Sequence, residues 1–138
     1  MNRLRIALIV LLAMGLAVPA CAAEEGSVRL GAQAGYGGTV LYTRDMPIIV
    51  SLENRGADFS GTVSVDVYAS EMDFDHYEAS VQLAAGAAKR MVLPVTPGYR
   101  QEEFRVDLRD ATGNAVASTV ARTTRGVGQN ALLVGTLS

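Results

Sequence analysis

The chain has 138 residues, of which 49% are apolar and 19% charged, with 12 basic against 14 acidic side chains. That length holds one domain with a short targeting segment and excludes two full domains. The apolar content excludes disorder, a net charge of −2 excludes a broad nucleic-acid footprint, and one His with one Cys excludes a conventional zinc site.

Residues 1–23 carry the marks of a secretory signal peptide. Asn2-Arg3-Leu4-Arg5 is a positive start, Ile6 to Val18 is an uncharged run of 13 residues, and Pro19-Ala20-Cys21-Ala22-Ala23 supplies small residues for cleavage. The run falls short of the roughly 20 residues that span a bilayer. Cleavage after Ala22 or Ala23 leaves a mature chain with no Cys, no disulfide and a net charge of −4, because Arg3 and Arg5 go with the signal. Stability then rests on apolar burial. Val18-Pro19-Ala20-Cys21 also resembles a lipobox, in which Cys21 becomes the lipidated first residue and anchors the chain to a membrane.

Residues 24–122 read as strands. Val28–Ala34 and Thr39–Thr43 flank Gly35-Tyr36-Gly37-Gly38, which predicts a hairpin connection. A phosphate-loop reading of these glycines fails, because no Gly-Lys-Ser/Thr and no helix follow. Ile48, Val50 and Leu52 then alternate with polar residues, as do Val63, Val65 and Val67. Tyr77, Ala79, Val81 and Leu83 continue the period, followed by Met91, Leu93 and Val95, then Phe104, Val106 and Leu108. Period-2 alternation puts one face on a core and the other in water. Turn residues separate the runs at 54–58, 84–87, 96–98 and 110–114, and the last predicts a type I turn closing a hairpin to 115–122. Pro47 and Pro94 fall near strand ends, where a missing donor is tolerated. The expected fold class is all-β, an antiparallel β-sandwich of about seven or eight strands behind a signal-peptide helix.

Residues 123–138 read differently. Thr123–Asn130 is polar and Gly-containing, which predicts a linker. Ala131–Leu137 is a continuous apolar run, either the last sandwich strand or the first strand of an α/β domain.

Candidate chemistry is thin. Glu71, Asp73 and Asp75 form the densest acidic loop and are weak candidate Ca²⁺ ligands; the loop lacks the glycine and bidentate Glu of an EF-hand. His76 is the one candidate base for a hydrolytic triad and has no nucleophile motif beside it. Glu102, Glu103 and Asp107 could act as paired glycosidase carboxylates, but strand alternation splits the neighbours. Tyr36, Tyr42, Tyr68, Tyr77 and Tyr99 could build a carbohydrate platform, with Tyr77 expected on the inner face. No catalytic residue and no cofactor is expected.

Pro47–Val63, with its strand ending in Asn54-Arg55-Gly56 and its Phe59-Ser60-Gly61 step, resembles the immunoglobulin-like modules of exported bacterial proteins. The Leu83–Arg90 stretch is similar to a turn of the same modules. The nearest resemblance is to the amino-terminal domain of large exported, membrane-anchored proteins of clostridia-like bacteria, whose function is uncharacterised. It implies an immunoglobulin-like fold, and a following α/β domain that would begin with a strand like Ala131–Leu137 in a longer protein. The function expected is a non-enzymatic, exported β-sandwich module, a spacer or protein-interaction domain at the bacterial cell envelope. The alternative is a carbohydrate-binding accessory module of a secreted glycosidase. Partners would be a protein or a cell-wall glycan and not nucleic acid, with membrane association only through Cys21 or a missing carboxy-terminal part.

Overall fold

The computed structural model describes residues 27–127. The signal peptide, Cys21 and Ala131–Leu137 lie outside the described residues. Within them the chain forms nine strands and no helix. They are β1 (Val28–Ala34), β2 (Thr39–Leu41), β3 (Met46–Asn54), β4 (Phe59–Tyr68), β5 (Phe74–Leu83), β6 (Ala88–Val95), β7 (Glu103–Asp110), β8 (Ala115–Arg122) and β9 (Arg125–Val127).

Two antiparallel sheets face each other. One has the order β1-β3-β6 and the other β5-β4-β7-β8, while β2 and β9 make a separate pair. The expected β-sandwich is therefore the fold. Alternation explains the layering. Ile48, Val50 and Leu52 are buried beneath one sheet, and Val63, Val65, Val67, Val81, Phe104, Val106 and Leu108 beneath the other. The core is aliphatic, and Phe104 is its one fully buried aromatic. β-branched valines suit this role, since their stiff side chains pack well on a pleated surface.

Connectivity gives the sandwich two distinct ends. β4–β5 and β7–β8 are hairpins within one sheet. The β3–β4, β5–β6 and β6–β7 connections each cross between the sheets. Val28 pairs with Asn54, and Gly61 pairs with both Leu83-side β5 and Asp110 of β7, so the 54–58, 84–87 and 110–114 turns share one end. The opposite end gathers the 35–45, 69–73 and 96–102 loops, along with the exit from β8.

Three expectations are corrected. β1 and β2 do not form a hairpin: β1 pairs with β3 from Val28↔Asn54 to Ala34↔Ile48, and β2 pairs with β9. The cause is the tightness of the Gly-rich turn. Gly35, Gly37 and Gly38 all have positive φ, and a Cβ at Gly35 would lie 1.9 Å from the Thr39 carbonyl oxygen. The chain doubles back at once, with Tyr36 and Thr39 exchanging backbone bonds, and leaves the sheet. Residues Arg125–Val127, expected in a linker, are a strand, because the Thr124 and Arg125 N–H groups reach the Gly38 carbonyl and lead the chain alongside β2. The β2–β9 pair is also parallel, a departure from a wholly antiparallel sandwich.

Pro47 and Pro94 face one another across β3 and β6. The Pro47 carbonyl accepts from Gly35 N–H at 2.8 Å, so it points toward β1 and away from Pro94. Neither missing donor is needed by the β3–β6 ladder.

Candidate functional site

Alternation makes Asn54 the next inward residue of β3 after Leu52, and it is buried. A buried amide without partners costs about 1–3 kcal/mol per unsatisfied group. Asn54 meets that demand by joining two crossover loops. Its Nδ2 donates to the Ala57 carbonyl at 2.7 Å and the Ala84 carbonyl at 3.0 Å, and its Oδ1 accepts from Gly56 N–H at 3.0 Å. Asp58 Oδ1 accepts from Ala85 N–H at 2.9 Å and completes the stitch. At the same end Asp110 accepts from the Thr112 and Asn114 N–H groups, both at 2.9 Å. Hydrogen bonds led by Thr112 hold the Asp110 carboxyl below the usual carboxylate range. The three turns at this end are thus tied internally, while a cleft of about 570 Å³ lined by Arg29, Ser51, Glu53, Lys89 and Arg90 lies beside them on the three-stranded sheet.

The opposite end is built differently. Gln101 is its buried amide. Its Oε1 accepts from Tyr68 N–H at 2.9 Å, and its Nε2 donates to the carbonyls of Glu103 at 2.8 Å and Asp66 at 3.3 Å. One side chain thus fixes the backbone of β4 against that of β7. Above it the outer face of the four-stranded sheet carries large exposed apolar residues. Phe74 faces Tyr68 across β5 and β4, and they are 60% and 44% exposed. Arg105 faces Val120 across β7 and β8. The Val65↔Val106 register puts Asp66 beside Arg105. Asp66, Tyr68, Phe74, Glu103, Arg105 and Val120 line a cleft of about 530 Å³ over Gln101.

The polar groups of this cleft are held from the side. Asp66 Oδ1 meets His76 Nδ1 at 2.7 Å, Glu103 Oε1 accepts from Arg122 Nε at 2.8 Å, and Arg105 Nε donates to Asp107 Oδ1 at 3.0 Å. Each pair engages one atom of a two- or three-atom group. Asp66 Oδ2, Glu103 Oε2 and the two terminal nitrogens of Arg105 have no such partner in these pairs.

Glu71, Asp73 and Asp75 are all exposed, and the Asp73 backbone carbonyl closes the β4–β5 turn by accepting from the Ala69 and Ser70 N–H groups. Among the described residues no three of His, Cys, Asp and Glu are grouped as a metal ion requires. His76 lies on the outer face with Nδ1 on Asp66 and Nε2 at 3.6 Å from Glu78. The Asp66 hydrogen bond raises its pKa above the ordinary value, and both ring nitrogens face carboxylates. That geometry makes a cross-strand link and aims neither nitrogen at a hydroxyl. Glu102 is paired with Arg100 at 3.1 Å. Glu103 and Asp107 share a face four residues apart, about 13 Å along a strand, beyond the roughly 5–9.5 Å of glycosidase pairs. Tyr77 is half-buried as expected, and its hydroxyl accepts from Thr96 N–H at 3.3 Å. All five tyrosines lie toward the Gln101 end, yet only Tyr68 reaches the cleft.

Asp66, Arg105 and Val120 were not singled out by the sequence. Their one signal was the outward parity of their strands, and it gains meaning only when the register places them side by side. Gln101 had no signal.

Strand order and site geometry define an immunoglobulin-like β-sandwich with one closed and one open end. Residues 27–124 match a family described as Domain of unknown function (DUF8726), and the chain belongs to that family. No curated protein matches the chain. Solved structures of similar architecture include the Pseudomonas fluorescens alkylpurine DNA glycosylase AlkC, with 12% identity and a TM-score of 0.49 over 71% of this chain. The match covers 30% of the glycosylase, so this chain spans under a third of its length. The CARDB domain of a Pyrococcus furiosus protein, solved with di-metal ions, is 16% identical with a TM-score of 0.42, over 71% of this chain and 86% of that one. A PapD-like domain of human CEP192 is 12% identical with a TM-score of 0.37, over 72% and 87%. The likeness is one of fold.

Proposed function

We propose that this protein is a non-enzymatic module of the bacterial cell envelope, exported by residues 1–23, that spaces and docks neighbouring parts of a larger protein. The observation that carries this reading is the path of the chain through the sandwich. It enters at the closed end, where Arg55 N–H bonds the Ser27 carbonyl at 2.7 Å. It leaves the last described strand at the open end, where Tyr42 N–H bonds the Val127 carbonyl at 3.3 Å. Entry and exit at opposite ends let such a domain stand in line between its neighbours, separated by the length of a ten-residue strand, about 33 Å. The signal-like start and the resemblance to amino-terminal domains of membrane-anchored proteins support the location. The pairing of His76 Nδ1 with Asp66 and the wide separation of Glu103 from Asp107 support a non-enzymatic reading.

The test is the intact mass and cell fraction of the native product, detected with an antibody to residues 26–122. An envelope-associated product beginning at Cys21, Ala23 or Glu24 and larger than this chain is expected. A cytoplasmic product retaining Met1 would sink the reading.

A further inference from the structure

The cleft over Gln101 has features that a plain solvent-facing sheet does not need. An exposed aromatic pair lies beside two carboxylates and one guanidinium, and each charged group meets a lateral partner through one of its atoms. The backbone beneath is pinned by one buried amide across β4 and β7. Such a site is pre-organised, so little ordering is required when a ligand arrives.

We propose that this cleft binds a neutral, pyranose-based glycan chain, with one sugar ring stacked on Tyr68 and Phe74. The proposal rests on reading the protein as a binding module and names the ligand class of that site. A flat pyranose presents C–H groups on one face, which suit the negative face of an aromatic ring. Its neighbouring hydroxyls donate and accept at once. Asp66 Oδ2 and Glu103 Oε2 would receive their protons, and the Arg105 terminal nitrogens would donate to their oxygens in the fork geometry of a guanidinium. The charge balance disfavours an anionic ligand: two carboxylates stand against one guanidinium in the cleft lining, on a chain that is itself acidic. A polyanion would be repelled. The size fits as well, since small-ligand sites run from about 300 to 1,000 Å³ and this cleft is about 530 Å³. Val120, 40% exposed, closes the far wall with apolar surface.

The experiment titrates the full chain with cellohexaose and with the hexamer of N-acetylglucosamine, by calorimetry and by Tyr emission. The chain has no Trp, so Tyr emission is unmasked. Saturable binding of one hexamer is expected. Tyr68→Ala and Arg105→Ala should each weaken it roughly tenfold or more, which corresponds to about 1.4 kcal/mol. Tyr68→Phe, which keeps the ring, should stay within about twofold of wild type, and Val92→Ala on the other sheet should change nothing. No binding of either hexamer overturns the proposal. So does binding that Tyr68→Ala leaves intact, or binding confined to a peptide or to heparin. Absent glycan binding with an exported product refutes this inference and leaves the proposed function standing. Glycan binding by a cytoplasmic product does the reverse.

Discussion

At the closed end, three turns are tied down by short polar side chains that seek backbone: Asn54, Asp58 and Asp110. At the open end, a single long amide, Gln101, secures the strands, and the surface above is aromatic and exposed. Both ends carry chain between the same two sheets. The first spends its polar groups on backbone, and the second pairs Asp66, Glu103 and Arg105 with neighbouring side chains beside Tyr68 and Phe74. The stitched turns and the proposed binding surface thus lie apart along the strand axis, and a change at one end should not behave like the equivalent change at the other.

The largest effect should come from the core that both ends share. Val65→Asp buries an unpaired carboxylate between the sheets, at a cost of several kcal/mol, and should abolish the cooperative urea transition. A folded, cooperative variant would mean that the strand faces are exchanged. Next, the buried amides should rank unequally. Asn54→Ala opens contacts to two crossover loops and should cost about 3 kcal/mol in urea denaturation. Gln101→Ala should cost about 1–2 kcal/mol, since the strands it joins keep other contacts. Equal losses would erase the contrast drawn between the ends. Third, Tyr68→Ala and Phe74→Ala should each lower stability by less than about 1 kcal/mol, the range of a cross-strand aromatic pair, whatever they do to binding. A larger loss would make the pair structural.

The smallest effect is one of pH, and it has opposite signs at the two ends. His76 has a raised pKa, so its contribution is complete below the unfolded value of about 6.5 and is lost as pH rises through the folded pKa. Because the pair is exposed and screened, that contribution is at most about 0.5 kcal/mol. Asp110 has a lowered pKa, so its contribution is present above the unfolded value of about 3.9 and fades as pH falls through the folded pKa. Melting temperature followed against pH should show the neutral-range dependence shrink in Asp66→Asn, with Glu78 sustaining the remainder, and the acid-range dependence shrink in Asp110→Asn.

Much of this was legible in the linear sequence for a plain reason. A strand with one wet face must alternate, so Ile48–Leu52, Val63–Val67, Val81–Leu83 and Phe104–Leu108 announced both their conformation and their buried side. The turn at 110–114 was legible too, because Asp110 and Gly113 act on neighbours in sequence; Gly113 takes the expected positive φ. The β1–β2 relation was not legible, since three glycines permit many turns and only contacts with Thr39, Thr124 and Pro47 select one.

The sequence alone therefore determined an all-β chain, its core residues and its local turns, because those depend on periodicity and on interactions a few residues long. Tertiary structure alone decided which strands became neighbours, that Asn54 and Gln101 would be buried yet satisfied, and that Asp66, Tyr68 and Phe74 would meet Glu103, Arg105 and Val120. The contacts that assemble the cleft include pairings between distant strands, as Tyr68 and Gln101 show with a separation of 33. Their geometry follows from strand order and register, which no local pattern encodes.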